Sequence, residues 1–230
     1  MRKILITGAS KGIGRFLIER FLKDGAMVYG TYNKTVPSGE LSKYYSSVDI
    51  QNSESVNNWV QMCVSSDDEV VLINCAADNY NALGRKADVD KWGQLIDINL
   101  VGTFRVINAC LPVMYEKKWG RIINFSSVVA QKGMAGTSAY AASKAALWGM
   151  SKSLAVENAA HNITINTLNL GYMAEGMTIS AVPAELHQEI LNQIPEHKFG
   201  EVENIYNAIV FLINSPYTTG ATIDINGGLY

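Results

Sequence analysis

Ile4-Leu5-Ile6-Thr7-Gly8-Ala9-Ser10-Lys11-Gly12-Ile13-Gly14, close to the start of the chain, is an aliphatic run that ends in a turn holding three glycines. A short apolar run stopped by glycine reads as a buried strand. The turn leads into a helical pattern over 13–23, with apolar residues at 13, 16, 17, 21 and 22. Glycine lets the backbone turn tightly and approach a ligand without a Cβ in the way. A helix N-terminus adds unpaired N–H groups and the positive end of a dipole, so the combination suits an anion such as a pyrophosphate. The spacing is GxxxGxG rather than GxGxxG, and the mechanism survives that difference.

Similar apolar runs recur at 27–31, 70–74, 121–125, 163–170 and 222–225, with a strand-like 44–48 after the second. Helical stretches lie between them. The stretch 138–158 is rich in Ala, Leu and Met and lacks proline, as a long packed helix requires, and 92–109 is amphipathic. Alternating strand and helix implies right-handed crossovers and a mainly parallel sheet. The predicted fold class is therefore α/β, one doubly wound domain over 1–230 with about seven strands and helices on both faces. Gly176, Pro183 and Pro195 break the rhythm within 172–198, which reads as a mobile substrate lid of one or two short helices.

Composition narrows the function classes. A net charge of -2, from 19 basic and 21 acidic residues, gives no electrostatic case for a nucleic acid or an anionic membrane as partner. Cys63, Cys75 and Cys110 are too far apart for a CxxC pair, and an odd number fits a disulfide framework poorly. They read as reduced thiols, and no metal is expected. The first apolar run is too short for a signal-peptide core. Nothing approaches the roughly 18–20 apolar residues of a membrane span, so the expected location is the cytoplasm.

Tyr140 and Lys144 are four residues apart in the long helix, which stacks them on one face. A phenol with a reference pKa of about 10 needs a neighbour that favours its anion before it exchanges protons at neutral pH. A unit charge at about 4 Å is worth roughly 4 kcal/mol at an effective dielectric near 20, enough for Lys144 to lower Tyr140 by about three pKa units. Ser127, past the 121–125 strand, is placed to orient and polarise a carbonyl oxygen. Asn99 is polar among Leu95, Ile98, Leu100 and Phe104 and is read as the holder of a proton-relay water. The three histidines all fall later and no GxSxG elbow is present, which disfavours a serine hydrolase. Asp49-Ile50 and Asn74-Cys75-Ala76-Ala77 follow strands, at the edge where open α/β sheets bind ligands. Thr31-Tyr32-Asn33-Lys34 holds no carboxylate to accept a ribose 2'-hydroxyl, leaving room for a 2'-phosphate with Lys11 and Lys34 as partners.

TGASKGIG at 7–14, DI at 49–50, NCAA at 74–77, Asn99 in DINLVGTF, Ser127 in INFSSVV, YAASK at 140–144 and the ending from Thr219-Gly220-Ala221 to Asn226-Gly227-Gly228 occur in one order and spacing. On these motifs the chain resembles the short-chain dehydrogenase/reductase family over nearly its whole length, and is most similar to the bacterial 3-oxoacyl-carrier-protein reductases. The resemblance implies a Rossmann-type fold and a catalytic tetrad of Asn99, Ser127, Tyr140 and Lys144. It implies cofactor contacts from Gly8, Ser10, Lys11, Gly12, Ile13, Gly14, Asn33, Lys34, Asp49, Ile50, Asn74, Cys75, Ala76, Tyr140, Lys144, Gly171 and Met173. Tyr140 would protonate an alkoxide as the nicotinamide delivers hydride, and Lys144 would hold the ribose. The expected reaction is reduction of a ketone, 3-oxoacyl or another small carbonyl, to a secondary alcohol. NADP(H) is preferred and NAD(H) possible, the substrate free or carried on an acyl carrier, the assembly a homotetramer or homodimer. Two alternatives are an NAD-dependent alcohol or sugar dehydrogenase of the same family and a nucleotide-sensing scaffold without turnover. Three departures stand out: Ala77 replaces a glycine, Asn169-Leu170-Gly171 replaces a Pro-Gly approach, and Glu175 aligns with a threonine.

Overall fold

Val70, Val71, Leu72 and Ile73 are all fully buried, so this run has no polar face to offer to water. A strand of that kind belongs in the middle of a sheet covered on both sides. The computed structural model, which describes residues 1–178 and 182–229, places it there. Seven strands form one sheet: β1 (Arg2–Thr7), β2 (Met27–Tyr32), β3 (Tyr45–Ser47), β4 (Glu69–Asn74), β5 (Gly120–Ser127), β6 (Ile163–Leu170) and β7 (Thr222–Ile225). Their order is β3-β2-β1-β4-β5-β6-β7, and every pairing is parallel. The order reverses between β1 and β4, which opens the crevice where such sheets take ligands.

Side-chain alternation sorts the core into two layers. Ile4, Ile6, Val71, Ile73, Ile123 and Leu168 face one side, where α1 (Gly12–Lys23) and α8 (Val202–Asn214) bring Leu17, Ile18, Phe21, Ile205, Ile209 and Leu212. Leu5, Val70, Leu72, Ile122 and Ile165 face the other, packed by Trp59 and Val60 of α2 (Ser53–Cys63), Ile107 and Met114 of α4 (Thr103–Lys117), and Leu154 and Ala155 of α6 (Ser138–Asn158). Cys63 and Cys110 lie in this second layer, and all three cysteines are free thiols that burial pushes up to about 11 or 12.

The strands expected at 163–170 and 222–225 and the helix at 138–158 have those bounds in the structure. The segment 44–48 shortens to β3. The amphipathic 92–109 is less regular than its periodicity predicts: α3 (Val89–Ile96) passes through a π-helical turn, Asp97–Gly102, into α4. The expectation that nothing approaches a membrane span needs correcting, because Val89–Lys117, 29 residues, is long and apolar enough by length and composition. Its apolar face is spent on the sheet through Val106, Ile107, Cys110 and Met114, and an Asp97–Arg105 ion pair at 2.9 Å sits at its middle. The remaining helices are short: α5 (Val129–Lys132) follows β5, and α7 (His187–Gln193) lies within the expected lid, of which residues 179–181 lie outside the described residues. Ile190 and Ile194 anchor this part on Val128 and Leu229.

At the sheet end away from the crevice, Asp68 accepts from Lys3 Nζ at 2.8 Å, from the chain terminus at 3.5 Å, and from the Ser65 amide and hydroxyl at 2.9 Å each. The Lys3 ammonium foremost, helped by Ser65, holds this carboxyl far below the usual carboxylate range. A depressed folded pKa contributes stability above the unfolded value of about 3.9 and loses it as pH falls below that. Asp68→Asn is therefore expected to lower the melting temperature at pH 7, and the gap to the wild type should narrow progressively in thermal melts taken at falling pH below about 4.

Candidate active site

Gly8, at φ +62°, is where β1 meets the loop after β4: a Cβ there would stand 2.5 Å from Ala76 Cα. No side chain fits such an approach. Two threonines complete the junction. Thr7 Oγ1 accepts from the amides of Cys75 and Ala76 at 3.2 and 3.1 Å, and Thr31 Oγ1 accepts from the Gly8 amide at 3.1 Å. Neither threonine was singled out by motif; a hydroxyl at the last or next-to-last position of a strand is the signal that identifies them.

The first turn of α1 has Lys11 at its N-cap, no side-chain cap and no acidic residue. An uncapped helix start with a glycine turn and a nearby lysine fits the pyrophosphate of a dinucleotide, which supplies acceptors for the N–H groups and charge for the dipole. Ser10, Gly12 and Ile13 line this turn, partly exposed. Gly12, at φ +51°, faces the loop after β6: a Cβ on it would come within 2.8 Å of Gly176 Cα, so that loop folds down onto the turn.

On the other side of the crevice, β5 and α6 bring Ser127, Tyr140 and Lys144 together. The Ser127 hydroxyl acts on the Tyr140 phenol, easing the rise of its pKa, and accepts from the Val129 amide at 3.2 Å. Lys144 is buried, donates to the Phe125 carbonyl at 2.7 Å, and has Nζ 5.7 Å from the centre of the Tyr140 ring. This geometry corrects the expected tuning of the phenol. Burial pushes Tyr140 up to about 12, with Ser127 only partly opposing it, while burial also pushes Lys144 down to about 8. The ammonium is held at a backbone carbonyl and lies over the ring, so desolvation of the phenol prevails over attraction.

Asn99 also differs from its expected use. Its side chain is held by protein: Oδ1 accepts from the Asp78 amide at 2.9 Å, and Nδ2 donates to the Asp78 carbonyl at 3.0 Å and to Ser143 Oγ at 3.1 Å. Ser143 in turn donates to the Tyr140 carbonyl at 2.8 Å. Asn99 thus ties the loop after β4 to the helix that carries Tyr140, from a π-helical turn whose Thr103 hydroxyl donates to the Asn99 carbonyl at 2.8 Å. Asp78 and Ser143 are invisible to motif reading, since both partners depend on tertiary contact.

The remaining candidates spread along the crevice. Asn33 and Lys34 are exposed beyond β2, and Lys34 pairs with Asp78 at 3.3 Å. Asp49 caps the Gln51 amide at 3.0 Å, and Ile50 is buried beneath Gly102. Asn74 donates to Asn124 at 2.8 Å, inside the sheet. At the β6 end, Gly171 is pressed against Asn226, and Met173 buries its side chain against Gly200 while its amide donates to Thr178 at 3.1 Å. The unusual Asn169 is fully buried and donates to Gln131 and, at 2.8 Å, to Asp224.

A profile described as short chain dehydrogenase matches residues 2–186. The chain belongs to the short-chain dehydrogenase family. It is an oxidoreductase of the Rossmann-type fold, similar along its length to proteins named 3-oxoacyl-(acyl-carrier-protein) reductase. That of Salmonella typhimurium is 35% identical over 98% of this chain and 96% of the relative, and that of Staphylococcus aureus Mu50 is 34% identical over 100% and 98%. A crystal structure of a 3-oxoacyl-(acyl-carrier-protein) reductase from Brucella melitensis superposes with a TM-score of 0.89 at 26% identity, covering 100% of this chain and 91% of that one. In this dehydrogenase the free protein's Tyr140 should remain a neutral phenol into alkaline solution. Ultraviolet difference titration of the wild type against Tyr140→Phe is expected to show no tyrosinate from this residue at about pH 10, where an ordinary tyrosine is half ionised.

Proposed function

We propose that this dehydrogenase reduces a 3-oxoacyl-type ketone to a secondary alcohol with NADP(H), using Tyr140 as general acid. Tyr140 with buried Lys144 over its ring and Ser127 near its phenol, at the crevice that also holds the glycine turn, is the observation that carries this reading. When bound, the nicotinamide nucleotide supplies the hydride. The chain supplies the rest. Ser127 Oγ holds the substrate oxygen against Tyr140 Oη, whose raised pKa keeps it protonated and ready to donate to that oxygen as negative charge develops. Lys144, near neutrality in its proton affinity, holds a ribose hydroxyl and restores the proton at Oη. The start of α1 takes the pyrophosphate, Lys11 and Lys34 the 2'-phosphate, and Asn74, Cys75, Ala76 and Gly171 border the nicotinamide end.

The 3-oxoacyl substrate is supported by the names of the relatives and by a cavity of about 240 Å³ lined by Gly84, Ala87, Val89, Trp92 and Ser138. Ser138, on the helix that carries Tyr140, accepts from the Trp92 indole at 3.2 Å and fixes one side of this apolar depression. An oligomer is supported by exposed Val101, Phe104 and Tyr115 along the π-turn and α4, and by Val156 on α6.

Tyr140→Phe is expected to cut kcat roughly 10²–10⁴-fold while leaving the Kd for NADPH within about two-fold, read by steady-state kinetics and nucleotide fluorescence. Trp92→Ala should raise KM for long 3-oxoacyl substrates by about ten-fold and leave short ketones nearly unaffected, measured as kcat/KM against chain length.

A further inference from the structure

The end of β2 holds no carboxylate in sequence, yet one reaches it in space. Lys34 Nζ and Asp78 Oδ2 stand 3.3 Å apart, one residue beyond β2 and the other beyond β4. Strands β2 and β4 flank β1 on opposite sides. An ion pair between their loops therefore crosses over the C-terminal end of β1, above the glycine turn that begins at Gly8. Lys34 is also twenty positions after Gly14 (34 − 14), the distance at which this fold class places the residue that meets the adenosine ribose.

Resting on the NADP(H) reading above, we infer that Asp78 is a specificity-determining residue of the cofactor site: its carboxylate competes with the 2'-phosphate for Lys34, repels that phosphate, and offers an acceptor to the 2'-hydroxyl of NAD(H). Three observations support it. Asp78 is fixed in place from behind, its amide and carbonyl both held by the Asn99 side chain. Its second carboxylate oxygen is taken by the Asn79 amide at 3.0 Å, which leaves Oδ2 directed at Lys34. Lys34 makes no ion pair with any other described residue, so a 2'-phosphate that recruits it has to displace Asp78. The pair is exposed, which keeps its strength in the modest range of surface pairs, within reach of a dianionic ligand.

Asp78→Asn preserves the acceptor for Asn79 and removes the charge. The test is a fluorescence titration with NADPH and with NADH, at low and high salt, of the wild type, Asp78→Asn, Lys34→Ala and the double variant, each first checked for a wild-type thermal melt. Asp78→Ser is the second variant should the first fail that check. Asp78→Asn is expected to raise the ratio of Kd for NADH to Kd for NADPH by about three- to ten-fold at low salt, mainly through tighter NADPH. The gain should shrink at high salt and in the Lys34→Ala background. If Lys34→Ala lowers the ratio but neither Asp78 variant raises it, the NADP(H) reading stands and the role of Asp78 is overturned. If the wild type binds neither dinucleotide, the proposed function fails and takes this inference with it.

Discussion

The contact of Gly8 with Ala76 holds the site together, since the loop after β4 lies where any side chain on Gly8 would have to go. With that contact made, Thr7 and Thr31 clasp the two loops to β1 from either side, and the glycine turn is presented at a fixed height above the sheet edge. The nucleotide half and the catalytic half then join through one further link, the Asn99 side chain, which grips Asp78 on one side and Ser143 on the other. The threonine and Asn99 links are hydrogen bonds between groups partly or wholly withdrawn from water, where an unmade bond costs about 1–3 kcal/mol. The geometry at Tyr140 is therefore inherited from backbone contacts a strand or more away.

Polar groups also run through the middle of the sheet. Asn74 donates to Asn124, Asn124 to Ser151, and Thr167 to the same Ser151, at 2.8, 2.9 and 3.0 Å, all buried. A one-residue slip of β4, β5 or β6 would turn these groups to the opposite face and leave them without partners. The ladder thus enforces the register that the aliphatic residues alone, apolar on both faces, specify weakly. It also fixes α6 to the sheet at Ser151, two turns beyond Lys144 and three beyond Tyr140.

The fold is legible in the sequence because burial on both faces leaves an unmixed aliphatic signature; β6, β7 and α6 can be read to the residue. The tetrad and the glycine turn are legible because each is a local pattern. What escapes is whatever depends on another element. The π-turn under Asn99 is a backbone insertion with no letter code, and it converts a residue read as a water holder into a structural clamp. The tuning of Tyr140 fails for the same reason: helical spacing brings Lys144 near the ring, but the Phe125 carbonyl from β5 determines where the ammonium rests. Lys34 could be picked out at the end of β2, whereas its partner forty-four positions later could not (78 − 34).

The strand order has a consequence for how the chain is made. From β1 the sheet first grows outward through β2 and β3; β4 then returns to the free side of β1, and β5, β6 and β7 each dock on the edge the preceding strand has just formed. No strand after β4 waits for a later one, so the sheet can be completed in the direction of synthesis. The growing edge is aliphatic and unpaired at every stage. The ribosome-bound chain accordingly carries one moving adhesive seam, covered in turn by the next strand, until β7 ends the sheet with a strand of only four residues.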